Sequence, residues 1–324
     1  MEPLIDIKNL RVDFALRSGT VRAVRDVSLS IGRGERLGIV GESGAGKSVL
    51  GFSIINLISK PGRITGGEII FGGEDISRYS YEKMRHIRGN HISMIFQDPM
   101  MTLNPVLTIG TQMKETILAH MDVSDEEAEA ICLDKLKKVY IPSPEKRLKQ
   151  YPHEFSGGMR QRIVIAISLL TNPKLIIADE PTTALDVTIQ AEIMSLLLEL
   201  CENENMGLIL ITHDLAVVSE VTQRIAVLYA GKVVEIGPTD RIIGSPQHPY
   251  TRGLLRALPQ MAEGKRRLNQ IPGMMPSLLN MPKGCPFQPR CEVRLDRCLR
   301  EIPVLTKAEG GAQVACFRCQ GGDQ

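Results

Sequence analysis

The string GESGAGKS occupies residues 41–48 and directly follows the apolar stretch RLGIV. It fits the pattern G-x-x-x-x-G-K-[ST], which forms a phosphate-binding loop where a strand precedes it and a helix follows. Glycines at Gly41, Gly44 and Gly46 let the backbone curl, so that its N–H groups point inward at phosphate oxygens. A glycine-rich turn that matches by accident is the alternative, and the flanking strand and helix patterns argue against it.

Two side chains of this loop carry the charge chemistry. Lys47 is predicted to supply a positive charge to the β- and γ-phosphates of a nucleotide, and the Ser48 hydroxyl to ligate Mg²⁺. The loop residues Ser43 and Ala45 complete the predicted contacts to the phosphates.

An acid pair ends the apolar string LIIADE, residues 175–180. An apolar strand delivers its last residue to the edge of a sheet, so Asp179 is predicted to hold Mg²⁺ through water. Glu180 is predicted to polarise the attacking water. Taken alone, this string is explained at least as well by a strand that ends in two solvated acids. The other motifs are what favour the catalytic interpretation.

Three further segments could contact phosphate or water. In EFSGGMRQR, residues 154–162, the residues Ser156, Gly157 and Gly158 open a helix whose free N–H groups and dipole favour an anion, unless the serine is only a cap. Gln97 ends the apolar strand in MIFQDP, where its amide could sense Mg²⁺ or water. His213 in ITHD follows another apolar strand, where it could contact the γ-phosphate or the water, unless it is a structural histidine.

Over about the first 240 residues, short β-branched runs alternate with helical patterns, which predicts an α/β fold. The predicted strands are 4–7, 36–40, 68–71, 91–96, 175–179, 208–212 and 225–229. The predicted helices are 47–58, 109–120, 125–139, 157–170, 188–204 and 215–222. Helix dominates residues 99–170, which suggests a helical insertion, and residues 229–237 suggest a hairpin that turns at Ala230–Gly231.

The amino-acid composition limits the classes of protein to which this chain can belong. The 43% hydrophobic and 23% charged content is typical of a soluble globular chain, and the net charge of +2 argues against coating nucleic acid by bulk charge. The start, MEPLIDIKNL, lacks the pattern of a secretory signal, and no stretch reaches the ~20 apolar residues of a membrane-spanning helix. These observations predict a cytoplasmic protein.

The composition shifts near Gly244, after which the chain becomes rich in proline and carries a charged EGKRR at 263–267. We therefore predict an α/β domain over residues 1–244 and a small irregular extension over residues 245–324. Of seven cysteines, five crowd into this extension: Cys285, Cys291, Cys298, Cys316 and Cys319.

A reducing cytosol makes such a cluster more consistent with metal binding than with disulfides. Its spacing, C-x5-C-x6-C-x17-C with a further C-x2-C step, matches neither a typical zinc ribbon nor the common ferredoxin patterns. Spacing alone does not distinguish a zinc site from an iron–sulfur cluster, and unliganded thiols are a third interpretation. Cys132 and Cys201 lie in helical patterns and are predicted to be core residues.

About residues 4–240 resemble the ATP-binding-cassette (ABC) ATPases, because they contain that family's motifs in the same order. These motifs are the phosphate loop, Gln97, the SGG segment, the acid pair, TALD at 183–186 and His213. The resemblance implies a RecA-like core with an antiparallel β subdomain and a helical insertion. It also implies a head-to-tail dimer, in which the SGG segment of one subunit closes over the phosphate loop of the other. Phe14 lies where this family stacks an aromatic ring on adenine, although it could equally be a strand-edge core residue. Phe155 and Met159 depart from the family's LSGGQ, but the serine and glycines remain.

Two longer strings, FQDPMMTLNP at 96–105 and HPYTRGLLRALP at 248–259, resemble the peptide-importer branch of that family. The resemblance implies a peripheral subunit on the cytoplasmic face of the membrane. Its partners would be two transmembrane permease subunits, a second ATPase subunit (a related chain or a second copy), and indirectly a solute-binding protein, with no nucleic acid. The region 98–120 would receive a coupling helix of the permease.

The same branch ends in a cysteine-bearing extension that resembles [4Fe–4S] carriers, and this favours iron–sulfur over Zn²⁺. Carried over by position, the ligands are Cys285, Cys291, Cys298 and Cys316, with Cys319 as the alternative fourth ligand. The cluster would serve either as a structural pin for a proline-rich segment or as a redox control. Competing functions are the same ATPase role for nickel, a glycoside or another solute, and a soluble iron–sulfur ATPase outside transport.

Overall fold

A computed structural model describes residues 2–183, 185–258 and 270–320. Ala184, which belongs to the TALD string, and the EGKRR segment at 263–267 lie outside the described residues. No helix in the described part of the chain combines the length and the apolar character needed to cross a membrane.

The strands of the described residues are, in chain order, β1 Ile5–Leu16, β2 Gly19–Ile31, β3 Arg36–Val40, β4 Gly62–Phe71, β5 Glu74–Asp75, β6 Ile92–Ile95, β7 Leu175–Asp179, β8 Gly207–Thr212, β9 Arg224–Tyr229, β10 Lys232–Pro238, β11 Thr306–Lys307 and β12 Gln313–Val314. The α-helices are α1 Lys47–Ile54, α2 Tyr81–Ile87, α3 Pro99–Thr102, α4 Ile109–Leu118, α5 Asp125–Lys138, α6 Pro144–Arg147, α7 Gly157–Ser168, α8 Val187–Asn203, α9 Leu215–Val221, α10 Thr239–Gly244 and α11 Pro249–Arg256.

The chain divides into two compact units. The first contains the described residues of 1–32, 36–78 and 210–324, and the second those of 33–35 and 79–209. The predicted helical insertion and the predicted division near Gly244 stay predictions. Residues on both sides of Gly244 belong to the first unit, and residues 99–168 form α3 to α7 in the second.

One sheet of the first unit is antiparallel, with the strand order β2-β1-β4-β5. Its β1 is central, and Ile5 pairs with Ile31 on one side and with Phe71 on the other. The sequence pattern predicts only residues 4–7 and 68–71 of β1 and β4, and it misses β2 altogether. Charged residues interrupt the alternation in these strands, and register shifts in β1 break the period-two pattern that reveals a strand.

A second group of strands in the first unit follows the order β11-β12-β10-β9-β3. β3 and β9 are parallel, and the other pairs are antiparallel. Ala230 and Gly231 turn the hairpin between β9 and β10, both with positive φ (48° and 80°), so the predicted hairpin is confirmed. β12 comes from the cysteine-bearing extension and pairs Val314 with Glu235 of β10, so the extension adds strands to this sheet.

In the second unit, β6 and β7 are parallel, with Ile92 opposite Leu175. Every residue of β7 is buried, which is typical of a parallel strand covered on both faces. α5 begins with a capping box, in which Ser124 and Glu127 bond each other's backbone N–H groups. Cys132 on α5 and Cys201 on α8 are both buried, which confirms the prediction that they are core residues.

Candidate functional site

The glycine-rich loop at 41–48 joins β3 to α1 in the first unit. Gly46 precedes α1 with φ 99°, and a Cβ there would lie 2.4 Å from the carbonyl oxygen of Ala23. No side chain fits at that position without displacing backbone. Gly44 also has a positive φ, 79°, and lies on the exposed side of the loop beside Ser43. The glycines therefore let the loop curl tightly ahead of the helix, as the sequence pattern predicts.

Lys47 is buried inside this loop. Its Nζ donates to the carbonyl oxygens of Gly41, at 2.8 Å, and of Glu42, at 3.1 Å. These bonds hold the ammonium group within the curl of the loop. Ser48 follows in the first turn of α1.

Two backbone bonds fix the loop to its surroundings. Ala45 N–H donates to the Glu42 carbonyl, at 3.1 Å, and closes the turn. The Ala45 carbonyl in turn accepts the N–H of Gly231, at 2.9 Å, which ties the loop to the β9–β10 hairpin. Ala45 is fully buried, so this end of the loop is rigid while Ser43 and Gly44 face outward.

Phe14 and His213 also belong to the first unit. Phe14 lies in β1 opposite Val21 and Gly62, is partly exposed, and packs its ring so close to Gly62 that a Cβ there would lie 2.5 Å from it. His213 is exposed in the connection between β8 and α9. Asp214 beside it caps α9 by accepting the N–H of Ala216, at 2.8 Å, which fixes the backbone next to the imidazole.

In the second unit, the carboxylate of Glu180 is held by two donors. Gln97 Nε2 and Thr183 Oγ1 both donate to Glu180 Oε2, at 3.3 Å and 3.0 Å. Glu180 also adopts a left-handed backbone conformation, with φ 46°, which costs of order 1–3 kcal/mol for a residue other than glycine. Asp179, just before it at the end of β7, is almost fully buried. The strain and the two donors fix the direction of one carboxylate, which is the requirement for positioning a water molecule.

The SGG segment begins α7 in the same unit. Ser156 Oγ accepts the N–H of Met159, at 3.3 Å, so the serine is the N-cap of the helix. A Cβ on Gly158 would lie 2.8 Å from Ile189 Cγ2, so glycine allows α7 to approach α8 closely. Phe155 is buried, and the Arg147 guanidinium lies 5.8 Å from its ring centroid, so this departure from the family pattern is accommodated by packing.

Four of the five clustered cysteines line one small cavity of about 20 Å³: Cys285, Cys291, Cys298 and Cys316. Cys319 instead lines a neighbouring cavity together with Cys316. The Cys285 N–H donates to the carbonyl oxygen of Cys298, at 2.8 Å, and the Cys298 Sγ accepts the N–H of Leu295, at 3.4 Å. Among residues 2–183, 185–258 and 270–320, no three His, Cys, Asp or Glu side chains are grouped to hold a metal ion.

The thiols of this cluster differ in acidity. Burial, with the neighbouring thiols adding to it, raises the pKa of Cys285 to about 11. A hydrogen bond with Cys319 lowers the pKa of Cys316 to about 6, and raises that of Cys319.

Three residues near the predicted site lie outside the predicted set. Thr183, in the TALD string, donates a hydrogen bond that orients Glu180. Its position three residues after this acid was the feature of the sequence that could have indicated the contact. Glu42, within the phosphate loop, forms a bidentate ion pair with Arg290 of the extension. An acid in a phosphate-binding loop indicates that a nearby cation must neutralise it, but only the structure identifies Arg290 as that cation.

Two models of known protein families match the sequence of this chain. Residues 24–183 match the family model described as ABC transporter, and residues 234–298 match the one described as oligopeptide/dipeptide transporter, C-terminal region. The chain belongs to the ABC transporter family, as an ATPase subunit of the kind that carries this C-terminal region. The predicted α/β fold of an ABC ATPase is therefore confirmed.

The relatives are similar over almost their whole length. The chain is 48% identical to the dipeptide transport ATP-binding protein DppD of Escherichia coli (strain K12), covering 97% of this chain and 96% of that protein. It is 49% identical to DppD of Bacillus subtilis (strain 168), covering 98% and 95%. A solved structure, the dimeric post-hydrolysis state of the ATP-binding cassette MJ0796 bound to ADP and Pi, superposes with a TM-score of 0.65 at 29% identity, covering 72% of this chain and 98% of that one.

Proposed function

We propose that this chain binds and hydrolyses MgATP to energise the import of dipeptides and oligopeptides by an ABC transporter. The observation that carries the hydrolytic role is the Glu180 carboxylate, fixed by Gln97 and Thr183 and strained at its backbone. The peptide cargo rests on the matched C-terminal region and on the dipeptide transport relatives.

In this proposal the phosphate loop binds the triphosphate. The backbone N–H groups of residues 41–48 and the N-terminus of α1 receive the phosphate oxygens, and Lys47 exchanges its bonds to loop carbonyls for bonds to the β- and γ-phosphates. Ser48 ligates Mg²⁺ directly and Asp179 does so through water. Phe14 stacks on the adenine ring.

Glu180 acts as the base that polarises the attacking water, because the carboxylate accepts a proton from the water as its oxygen approaches the γ-phosphorus. Gln97 senses Mg²⁺ and water, and His213 contacts the γ-phosphate. Ser156, Gly157 and Gly158 bind the γ-phosphate of a nucleotide held by a second ATPase subunit, with the dipole of α7 favouring the anion. ATP binding then closes the dimer and hydrolysis opens it.

The partners follow from the same proposal. Two transmembrane permease subunits, a second ATPase subunit and a solute-binding protein complete the transporter, and this chain lies at the cytoplasmic face of the membrane. The other ATPase subunit is a related chain or a second copy of this one.

Reconstitution tests the cargo. We expect the chain, assembled with its two permease subunits and a second ATPase subunit in proteoliposomes and supplied with the binding protein, to take up a labelled dipeptide only when MgATP is on the side of the ATPase. Added dipeptide should raise ATP hydrolysis at least severalfold. Uptake of nickel or a glycoside in place of the dipeptide would assign another cargo, and failure to assemble with permease subunits would contradict the transport role.

We also infer that Cys285, Cys291, Cys298 and Cys316 hold a [4Fe–4S] cluster. Four thiols around one cavity supply the donor set that such a cluster uses, and Cys319 lies outside that lining, which favours Cys316 as the fourth ligand. The same four thiols would also suit zinc, and the resemblance to the peptide-importer branch favours the iron–sulfur cluster. The cavity has room for about one water molecule, so the segments that carry the cysteines must separate to admit the cluster. When bound, the cluster cross-links these segments, which have little core of their own.

Paired cysteine variants test this assignment. We expect anaerobically purified protein to contain about four iron and four sulfide per chain. Cys316→Ser should lose most of both, while Cys319→Ser, which changes the adjacent thiol, should retain them. Stoichiometric zinc without sulfide would replace the iron–sulfur assignment, and loss of iron only in the Cys319 variant would reverse the choice of fourth ligand.

A further inference from the structure

The phosphate loop contains an acid whose charge is neutralised from the C-terminal extension. Arg290 Nη1 and Nη2 donate to the two carboxylate oxygens of Glu42, at 2.6 Å and 2.9 Å. The Arg290 side chain is only 4% exposed, and that of Glu42 is 30% exposed. Two parallel bonds between a guanidinium and a carboxylate fix both position and orientation, and burial of the guanidinium limits screening by salt.

Arg290 is itself held rigidly by the extension and the hairpin. Its Nε donates to the Pro272 carbonyl, at 2.9 Å, and its Nη2 also reaches the Ile271 carbonyl, at 3.3 Å. Its Nη1 lies 3.4 Å from the Tyr229 hydroxyl. With four partners the arginine cannot reorient without losing several bonds. Arg290 and these partners therefore form a rigid contact, the brace, between the extension and the phosphate loop.

The aromatic residues around the pair complete this brace. The Glu42 N–H donates to the Tyr250 hydroxyl, at 2.8 Å. The rings of Tyr229, Tyr250 and Phe287 pack edge to face or tilted, with centroids 4.6–5.4 Å apart. Met275 of the extension approaches the other side of the loop, where its Cε would lie 3.3 Å from a Cβ on Gly44. Glu42 is therefore held at both its backbone and its carboxylate.

The charge of Glu42 matters because of what the loop has to bind. A triphosphate carries several negative charges, and an unpaired carboxylate in the same loop would repel it. Glu42 also offers its carbonyl oxygen to Lys47, so a shift of Glu42 moves the lysine that is to contact the phosphates. Neutralisation and fixation of Glu42 would both strengthen nucleotide binding.

We propose that Arg290 is a positioning residue for ATP binding, which neutralises Glu42 and thereby couples the fold of the cysteine-bearing extension to the phosphate loop. This inference rests on the proposed ATPase function. It gives the extension a role in nucleotide affinity: Arg290 directly precedes Cys291, so any disorder of the cysteine segment would release Glu42.

A set of charge variants in the full-length chain tests this. We expect Arg290→Gln to raise the dissociation constant for MgATP about tenfold, and the KM for ATP with it, while kcat changes by less than about threefold. Adding Glu42→Gln to that variant should restore affinity to within about threefold of wild type, because no charge is then left uncompensated. Arg290→Lys should fall between, since an ammonium group neutralises the acid without the two parallel bonds.

Arg294→Gln is the matched control, because Arg294 lies in the same extension and its side chain is exposed. It should bind MgATP as wild type does. Where Arg290→Gln does not fold, Arg290→Lys, which keeps a cation beside Glu42 but not the two parallel bonds, should still bind MgATP more weakly than wild type does. Wild-type affinity in Arg290→Gln, or in Arg290→Lys where the first variant does not fold, or a double variant that binds no more tightly than Arg290→Gln, would overturn the proposal. Failure of the wild-type chain itself to bind MgATP would instead refute the proposed function.

Discussion

Glu180→Gln should lower the rate of ATP hydrolysis by about a thousandfold while ATP remains bound. Glutamine preserves the shape of the side chain and can still accept the bonds that Gln97 and Thr183 donate to Glu180 Oε2. What it lacks is the negative charge that polarises water, and general-base catalysis is typically worth 10²–10⁴ in rate. Phosphate release measures the rate, and rapid desalting of the protein measures the ATP that stays bound.

Glu220→Gln is the control for this variant, because Glu220 is an exposed acid on α9 and its loss changes the net charge equally. It should hydrolyse ATP at the wild-type rate. The trapped nucleotide in Glu180→Gln should be ATP and should hold the dimer closed, since closure depends on binding and opening on hydrolysis. Full turnover by Glu180→Gln would remove Glu180 from its proposed role.

Lys47→Ala should weaken MgATP binding by about a hundredfold and abolish measurable hydrolysis at millimolar ATP. The variant loses a buried cation whose Nζ the loop carbonyls hold in place, and charge-assisted hydrogen bonds of this kind to phosphate are among the strongest in proteins. Two carbonyl oxygens, of Gly41 and Glu42, also lose their donor. Titration calorimetry with MgATP gives the affinity.

Lys137→Ala provides the comparison, because Lys137 is an exposed lysine in the last turn of α5. Its affinity for MgATP should equal that of wild type. If Lys47→Ala bound MgATP normally, the string GESGAGKS would be a structural turn, and the assignment of the phosphate site would fail.

Local motifs predicted the proposed nucleotide site from sequence, since each depends on a few adjacent residues. The loop at 41–48, the acids at the end of β7 and the serine that caps α7 all have conformations determined within one turn of chain. Sequence patterns also predicted β3, β6, β7, β8 and β9 closely, because buried parallel strands read as short apolar runs. β2 was missed since its half-exposed, charged sequence resembles a loop.

The cysteine cluster shows how much the spacing of residues along a sequence can predict about a metal site. Spacing left zinc and iron–sulfur open, and only the resemblance to peptide importers favoured one. In the folded chain, four of the five cysteines line one cavity, and Cys319 lies outside that lining. Residues separated by many positions along an irregular segment meet only through the tertiary fold, so their grouping could not be calculated from the intervals between them.

Residue types and their local spacing were enough to predict the family, the phosphate loop and the proposed base, because these features are local and their chemistry requires particular residue types. Which distant groups contact them depends on the tertiary fold. Glu42 and Arg290 are 248 positions apart, and Gln97 and Glu180 are 83 apart. Contacts over such separations depend on how strands and loops pack, and no periodicity in the chain encodes them. The brace between the extension and the phosphate loop therefore became visible only once the chain was folded.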